Sequence, residues 1–210
     1  MNYYWDEFYK KTELFNTRPS NFSRFCYNNF LKNKKNIYIL DIGCGNGRDS
    51  IFFFNKRLKV IGIDKSAAAI KINKKKFPHD KNLLFYKKDI NKFDFKKFGK
   101  FDFIYLRFFL HAINFKTQKN LLKHIQNFKK KGTLIMLEFR TDKDSLINKG
   151  EKLSKNETFT NHYRRFISVK SILKSFEALS FKPIYLLEKK GLSKYKNDNP
   201  VLCRLILKSN

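Results

Sequence analysis

Residues 36–54 read NIYILDIGCGNGRDSIFFF, and this stretch decides the fold. Ile37, Ile39, Leu40 and Ile42 form a short, β-branched apolar run, the pattern of a strand buried on both faces of a parallel sheet. The run breaks into Gly43, Gly45 and Gly47, and the RDSIFFF that follows has the apolar spacing of a helix packing back onto the sheet. Strand, glycine turn and helix in that order predict a small-molecule site at the strand's carboxyl end. Open α/β sheets bind ligands there, and glycine lets backbone amides approach a ligand closely.

Spacing narrows the ligand. A dinucleotide fingerprint, G-x-G-x-x-G, needs glycine at position 48, where this chain has Arg48. The pattern here is G-x-G-x-G, with Asp41 before it and Asp64 closing the next apolar run, VIGID. A carboxylate at that second position suits a ribose diol, because it accepts hydrogen bonds from both hydroxyls. LDIGCGNGRDS followed by VIGIDKS resembles motifs I and II of the class I S-adenosylmethionine-dependent methyltransferases, and the resemblance runs from about Tyr38 to the C-terminus.

The resemblance implies an α/β, Rossmann-like fold: a seven-stranded, mostly parallel sheet with helices on both faces and a C-terminal antiparallel hairpin. It implies S-adenosyl-L-methionine as cofactor, held by Asp41, Gly43, Cys44, Gly45, Gly47, Asp64 and Lys65. Asp89 would accept from the adenine amino group, Ile90 would lie against the ring, and Arg107 would stand at the end of the fourth strand beside the methionine portion.

The 210 residues suit one domain, 1–210, with residues 1–30 as a helical lead-in or lid and 141–165 as a substrate-side insertion. Lys and Arg number 46 against 18 Asp and Glu, a net charge of +28 that favours anionic partners. Lysine is spread over nearly every segment, and Lys, Asn, Ile and Phe are abundant while Gly and Pro are scarce, the codon signature of an AT-rich genome. Nucleic acid is thus a secondary partner class, behind a small anionic acceptor. Three cysteines without C-x-x-C spacing argue against a disulfide framework or a zinc site, and no metal ligand cluster is evident. No apolar run approaches a membrane span, and MNYYWDEF is unlike a signal peptide, so a cytoplasmic protein is expected.

In chain order, residues 1–30 are rich in aromatics and predict two short amphipathic helices broken at Arg18-Pro19-Ser20, with Ser20 as a cap. In the resembling family such a lead-in covers the cofactor and forms part of the substrate pocket, which makes Tyr9 and Arg18 substrate-side candidates. Strands are predicted at 59–64, 83–86, 101–106 and 132–139, and helices from Ser66 to near Pro78, over 121–128 and from Ser168. Residues 182–188 and 201–207 predict an antiparallel hairpin at the sheet edge. Arg107 and His111 would share one side if a helix begins between them, and strand alternation puts Glu138 and Arg140 on one side.

Methyl transfer from a sulfonium is an in-line displacement with a neutral leaving group, so positioning and desolvation dominate and a base is optional. His111, Glu138 and His162 are the candidate bases for a hydroxyl nucleophile. Arg140, Tyr163, Arg164 and Arg165, with Arg107, form a candidate anion basket, since arginine forks suit carboxylate and phosphate and this chain otherwise favours lysine. The expected activity is O- or S-methylation of a small anionic metabolite or activated sugar. The alternatives are an RNA or protein methyltransferase docking through its basic surface, and a non-catalytic S-adenosylmethionine-binding protein.

Overall fold

The computed structural model describes residues 4–11, 18–78, 80–92, 98–195 and 197–210. Five parallel strands, β1 (Tyr38–Ile42), β2 (Lys59–Asp64), β3 (Leu83–Lys87), β4 (Phe103–Arg107) and β5 (Leu134–Arg140), form the centre of the main sheet. A short meander, β6 (Glu151–Ser154), β7 (Glu157–Phe159) and β8 (Tyr163–Arg165), follows, and β9 (Phe181–Lys189) and β10 (Leu202–Ser209) close the chain. The order across the seven-stranded sheet is β3-β2-β1-β4-β5-β10-β9. Connections turn outward from β1 to β3 and then jump back to β4, so the strand order reverses between β1 and β4, and the crevice for a ligand opens there.

Side-chain alternation along β1 feeds two cores. Ile39 faces one with Phe22, Phe53, Ile70 and Tyr105; Leu40 and Ile42 face the other with Leu121, Ile125, Phe128, Ile172 and Phe176. The first core is covered by α2 (Asn21–Cys26, continued as a π-helical turn over Tyr27–Leu31), α3 (Arg48–Asn55) and α4 (Ala67–Lys76). The second is covered by α5 (Phe115–Phe128) and α6 (Val169–Glu177). Leu121, Ile125 and Phe128 of α5 are 0 % exposed, each contributing about 1.5–3 kcal/mol by burial. The expected Rossmann-like sheet with helices on both faces is the fold observed.

Several boundaries differ from the sequence expectation for local reasons. α5 begins at Phe115, not at position 121, because Asn114 Oδ1 accepts the Thr117 N–H at 2.9 Å and starts the helix before its apolar stripe begins. Within the expected insertion 141–165, residues 151–165 form the three-stranded antiparallel meander. The C-terminal pair is present, but β10 is inserted between β5 and β9, leaving β9 at the edge. Ser20 caps α2 as expected, accepting the Ser23 N–H at 3.0 Å. Ahead of it, α1 (Tyr4–Lys11) lies against α4; Tyr3 and Phe15 of the aromatic lead-in fall outside the described residues. No helix among the described residues is long and apolar enough to cross a membrane.

Candidate active site

The turn after β1 is pinned to the next strand. The N–H groups of Gly43 and Cys44 donate to the Ile63 carbonyl at 2.8 and 3.1 Å, and the Gly45 N–H donates to Asp64 Oδ2 at 3.0 Å. From α4, Asn73 Nδ2 donates to the Gly45 carbonyl at 2.8 Å. The second oxygen of Asp64 accepts the Ser66 N–H at 2.9 Å. A carboxylate oxygen can accept more than one hydrogen bond, the property that suits Asp64 to a ribose diol. Burial raises the proton affinity of Asp64, and the backbone N–H groups of Ser66, Gly45 and Lys65, with the Lys65 charge, oppose it. Lys65, next in sequence, is exposed, and Cys44 is buried with its thiol pKa pushed up by burial.

Asp41 is 3 % exposed and accepts the Ser50 hydroxyl of α3 at 2.5 Å. Burial, reinforced by Asp49 and Asp64, pushes its pKa up to about 8. Asp49 gathers the Ser20 and Ser23 hydroxyls at 2.8 and 2.9 Å, the Ser20 N–H at 2.7 Å and the Tyr105 hydroxyl at 2.8 Å. This buried acid ties α2 to α3, and Arg18 lies exposed at the bend just before it.

Helix α1 covers the glycine turn. Gly45 has φ +52°, and a Cβ placed on it would collide with the Tyr9 hydroxyl. Tyr9, expected on the substrate side, thus sits on the cofactor loop. One turn earlier, Asp6 Oδ1 accepts the Ala68 N–H at 3.0 Å and the Ser66 hydroxyl at 2.9 Å, fastening α1 to the start of α4 beside Asp64. The backbone cradle, the diol-ready Asp64 and the covering phenol fit an adenosyl ligand carrying a methionine portion.

At the carboxyl ends of β4 and β5 the chain departs from the sequence expectation. Phe108 has φ +57° and Leu110–Ala112 is a single 3-10 turn, so Arg107 and His111 do not share a helical face. Glu138 lies in register with Arg107 on β4 and Arg204 on β10, and accepts from their Nε atoms at 3.0 and 2.7 Å. Glu138, one of the candidate bases, is 1 % exposed and held by two guanidiniums. Arg107 also donates to Ser193 Oγ at 3.0 Å, and Arg204 donates to the Leu192 carbonyl at 2.9 Å. Arg140 pairs with Asp144 at 3.0 Å and, more closely, with Asp198. Arg107 and Arg140, expected to grip cofactor and substrate, therefore also anchor the β9–β10 connection over the strand ends.

The remaining candidates converge around the meander. His111 accepts the Arg140 backbone N–H at Nδ1, 3.2 Å, which assigns the proton of its neutral ring to Nε2. Burial, then the charges of Arg140 and Arg164, hold its pKa well below the usual value. His162 stacks on Tyr4 with centroids 4.5 Å apart and meets Trp5 edge-on at 5.4 Å. Its Nδ1 is buried with no hydrogen-bond partner, and burial, then Arg164 and Arg140, bring its pKa down to about 4. Tyr163 donates to Glu157 at 2.6 Å within the meander, whereas Arg165 donates outward to Gln118 of α5 and to the Leu110 carbonyl of the 3-10 turn, fastening β8 to both. Arg164 donates to Thr160 and, among the described residues, forms no ion pair with an acid. On the other flank, Asp89 Oδ1 accepts the Asn91 N–H at 2.8 Å as a turn cap, and Ile90 is 5 % exposed.

Asn73, Arg204, Asp6 and Asp198 are site-building residues that the sequence reading missed. Arg204 alone carried a signal, a charge inside the apolar run LCRLIL.

A seven-stranded sheet of this order, with a glycine turn after β1 and an acid ending β2, defines a class I methyltransferase fold, whose cofactor is S-adenosylmethionine. The family model described as a methyltransferase domain matches residues 33–191, and the chain belongs to that family. Among solved structures it is similar to an S-adenosylmethionine-dependent methyltransferase from Methanosarcina mazei, with TM-score 0.71, 17 % identity and coverage of 84 % of this chain and 93 % of that one. A glycopeptide N-methyltransferase in complex with S-adenosyl-L-methionine aligns with TM-score 0.68 at 10 % identity, covering 92 % of this chain and 95 % of that one. The magnesium protoporphyrin IX methyltransferase of Synechocystis, also with bound cofactor, aligns with TM-score 0.64 at 12 % identity, covering 98 % of this chain and 79 % of that one. The chain matches no curated protein in sequence.

Proposed function

We propose that this enzyme transfers the methyl group of S-adenosylmethionine to an oxygen or sulfur of a small acceptor carrying a carboxylate or phosphate. One observation carries the acceptor class: Arg164 is a partly buried guanidinium without an acidic partner among the described residues, beside Arg140 and two histidines. Burial and the Arg140 charge both lower the proton affinity of Arg164. A bound anion relieves that repulsion, and the planar fork suits a carboxylate or phosphate. Structural neighbours act on a glycopeptide and on a porphyrin, so the fold accommodates varied acceptors and the choice rests on the side chains lining the site.

When bound, the cofactor supplies an electrophilic methyl on sulfur and leaves as a neutral thioether. The glycine turn and Asp64 would hold its adenosyl part, Asp89 and Ile90 would receive the adenine, and Tyr9 covers the turn. Of the three candidate bases, Glu138 is sealed by two guanidiniums and His111 spends Nδ1 on the Arg140 N–H. His162 keeps an unpartnered Nδ1, and in its Nε2–H tautomer it takes the acceptor's X–H proton as X gains the methyl. Its depressed pKa keeps it deprotonated at neutral pH. An acceptor anion beside Arg164 raises that pKa and strengthens the base.

The test is the destination of methyl label from S-adenosylmethionine in a cell extract separated into small molecules, RNA and protein. Label in the anionic small-molecule fraction supports the proposal. Label in RNA, with a salt-sensitive gel shift, would instead assign the +28 charge to nucleic-acid docking.

A further inference from the structure

Three consecutive residues of α1 reach two different parts of the site. Tyr4 and Trp5 enclose the imidazole of His162, stacked at 4.5 Å and 24° and edge-on at 5.4 Å and 62°. Asp6, the next residue, binds the Ala68 N–H and the Ser66 hydroxyl, immediately after the cofactor acid Asp64. His162 sits in the turn between β7 and β8, and its Nδ1 has no hydrogen bond to fix the ring. Aromatic contacts of this geometry favour one orientation of a ring whose Nδ1 makes no hydrogen bond.

We infer that α1 is a positioning element for the proton acceptor: Tyr4 and Trp5 hold the His162 imidazole in place, and Asp6 makes that hold depend on docking of the helix beside Asp64. The inference rests on the reading of His162 as the acceptor's base. It adds that the lead-in does more than cover the cofactor, because the cofactor loop and the base are completed by the same helical turn. The groups facing His162 are Tyr4 and Trp5 from α1, Arg164 from β8, Arg140 from β5 and His111 from the 3-10 turn. Asp144 and Asp198 stand behind the two arginines.

Trp5 is the single tryptophan of the chain, so its emission reports the helix directly. The experiment combines acrylamide quenching of Trp5 with an NMR titration of the His162 ring, assigned with His162→Gln, in wild type, Asp6→Ala, Trp5→Ala and Trp5→Phe. In wild type the ring should titrate near 4. Asp6→Ala should raise Trp5 quenching by about twofold or more and move the His162 pKa up by about one unit or more, as water returns to the ring. Trp5→Ala should move the titration in the same direction without touching the Asp6 contacts, and Trp5→Phe should hold it near the wild-type value. Unchanged quenching and titration in folded Asp6→Ala, or an unchanged titration in Trp5→Ala, would overturn the inference. Neither readout requires turnover, so the clasp is tested separately from the base assignment, which His162→Gln tests by its loss of methyl transfer.

Discussion

The Gly45 N–H donates to Asp64 Oδ2 at 3.0 Å, which makes the glycine turn and the acid closing β2 one rigid unit. Asp64 thus orients the turn, and in the proposed function it also takes the ribose. Asp64→Ala should weaken S-adenosylhomocysteine binding by about 1.5–3 kcal/mol or more, as for hydrogen bonds to a charged group. Calorimetry measures it. Affinity within twofold of wild type would separate the acid from cofactor binding.

Gly45 carries two constraints, φ +52° and the Tyr9 hydroxyl standing where an alanine methyl would have to go. Gly45→Ala should cost about 1–2 kcal/mol from the left-handed backbone alone, plus the displacement of Tyr9. Adding Tyr9→Ala should relieve the second part and leave the first. Denaturant melts of the two single variants and the double variant separate the parts; strictly additive losses would place Tyr9 away from the turn.

The buried Asp41 carboxyl predicts a pH dependence. Its folded pKa, about 8, lies above the ordinary value of 3.8, so the folded state binds the proton more tightly. Its contribution to stability is fully present below 3.8 and is lost as pH rises toward 8. In that window the slope should reach about 1.4 kcal/mol per pH unit. Asp41→Asn, which keeps the shape without the charge, should flatten this part of the stability profile in the cofactor-free protein. An Asp41→Asn profile parallel to wild type between about pH 5 and 8 would contradict the assignment.

Glu138 neutralises Arg107 and Arg204 at once. Glu138→Gln should lower stability by about 3–5 kcal/mol, because it leaves two buried guanidiniums without a counter-charge. Thermal unfolding is the measurement. A fully stable Glu138→Gln that has lost only turnover would restore Glu138 as a base.

Much of this site was legible in sequence because its signals are local. The glycine turn, Asp41 and Asp64 fall within one strand-turn-helix-strand stretch, and Ser20 and Ser66 cap the helices expected of them. Pairings between distant residues were not legible. Alternation placed Glu138 and Arg140 on one side of β5, but nothing local indicated that β10 would bring Arg204 beside Glu138, or that the β9–β10 connection would bring Asp198 to Arg140. Phe108 adopts a left-handed backbone rare for a bulky residue, and nothing in the sequence indicated that it would keep Arg107 and His111 off a common helix. The meander strands β7 and β8 are three residues each, too short for alternation to stand out.

In the proposed reaction Arg164 holds an anionic acceptor. The most direct measurement is the rate of methyl transfer from labelled S-adenosylmethionine into the anionic small-molecule fraction by wild type, Arg164→Ala and Arg164→Lys. Arg164→Ala should lower the rate roughly 10- to 150-fold, Arg164→Lys should rescue it incompletely, and the affinity for S-adenosylhomocysteine should stay unchanged. A wild-type rate in Arg164→Ala, or label confined to neutral products, would contradict it.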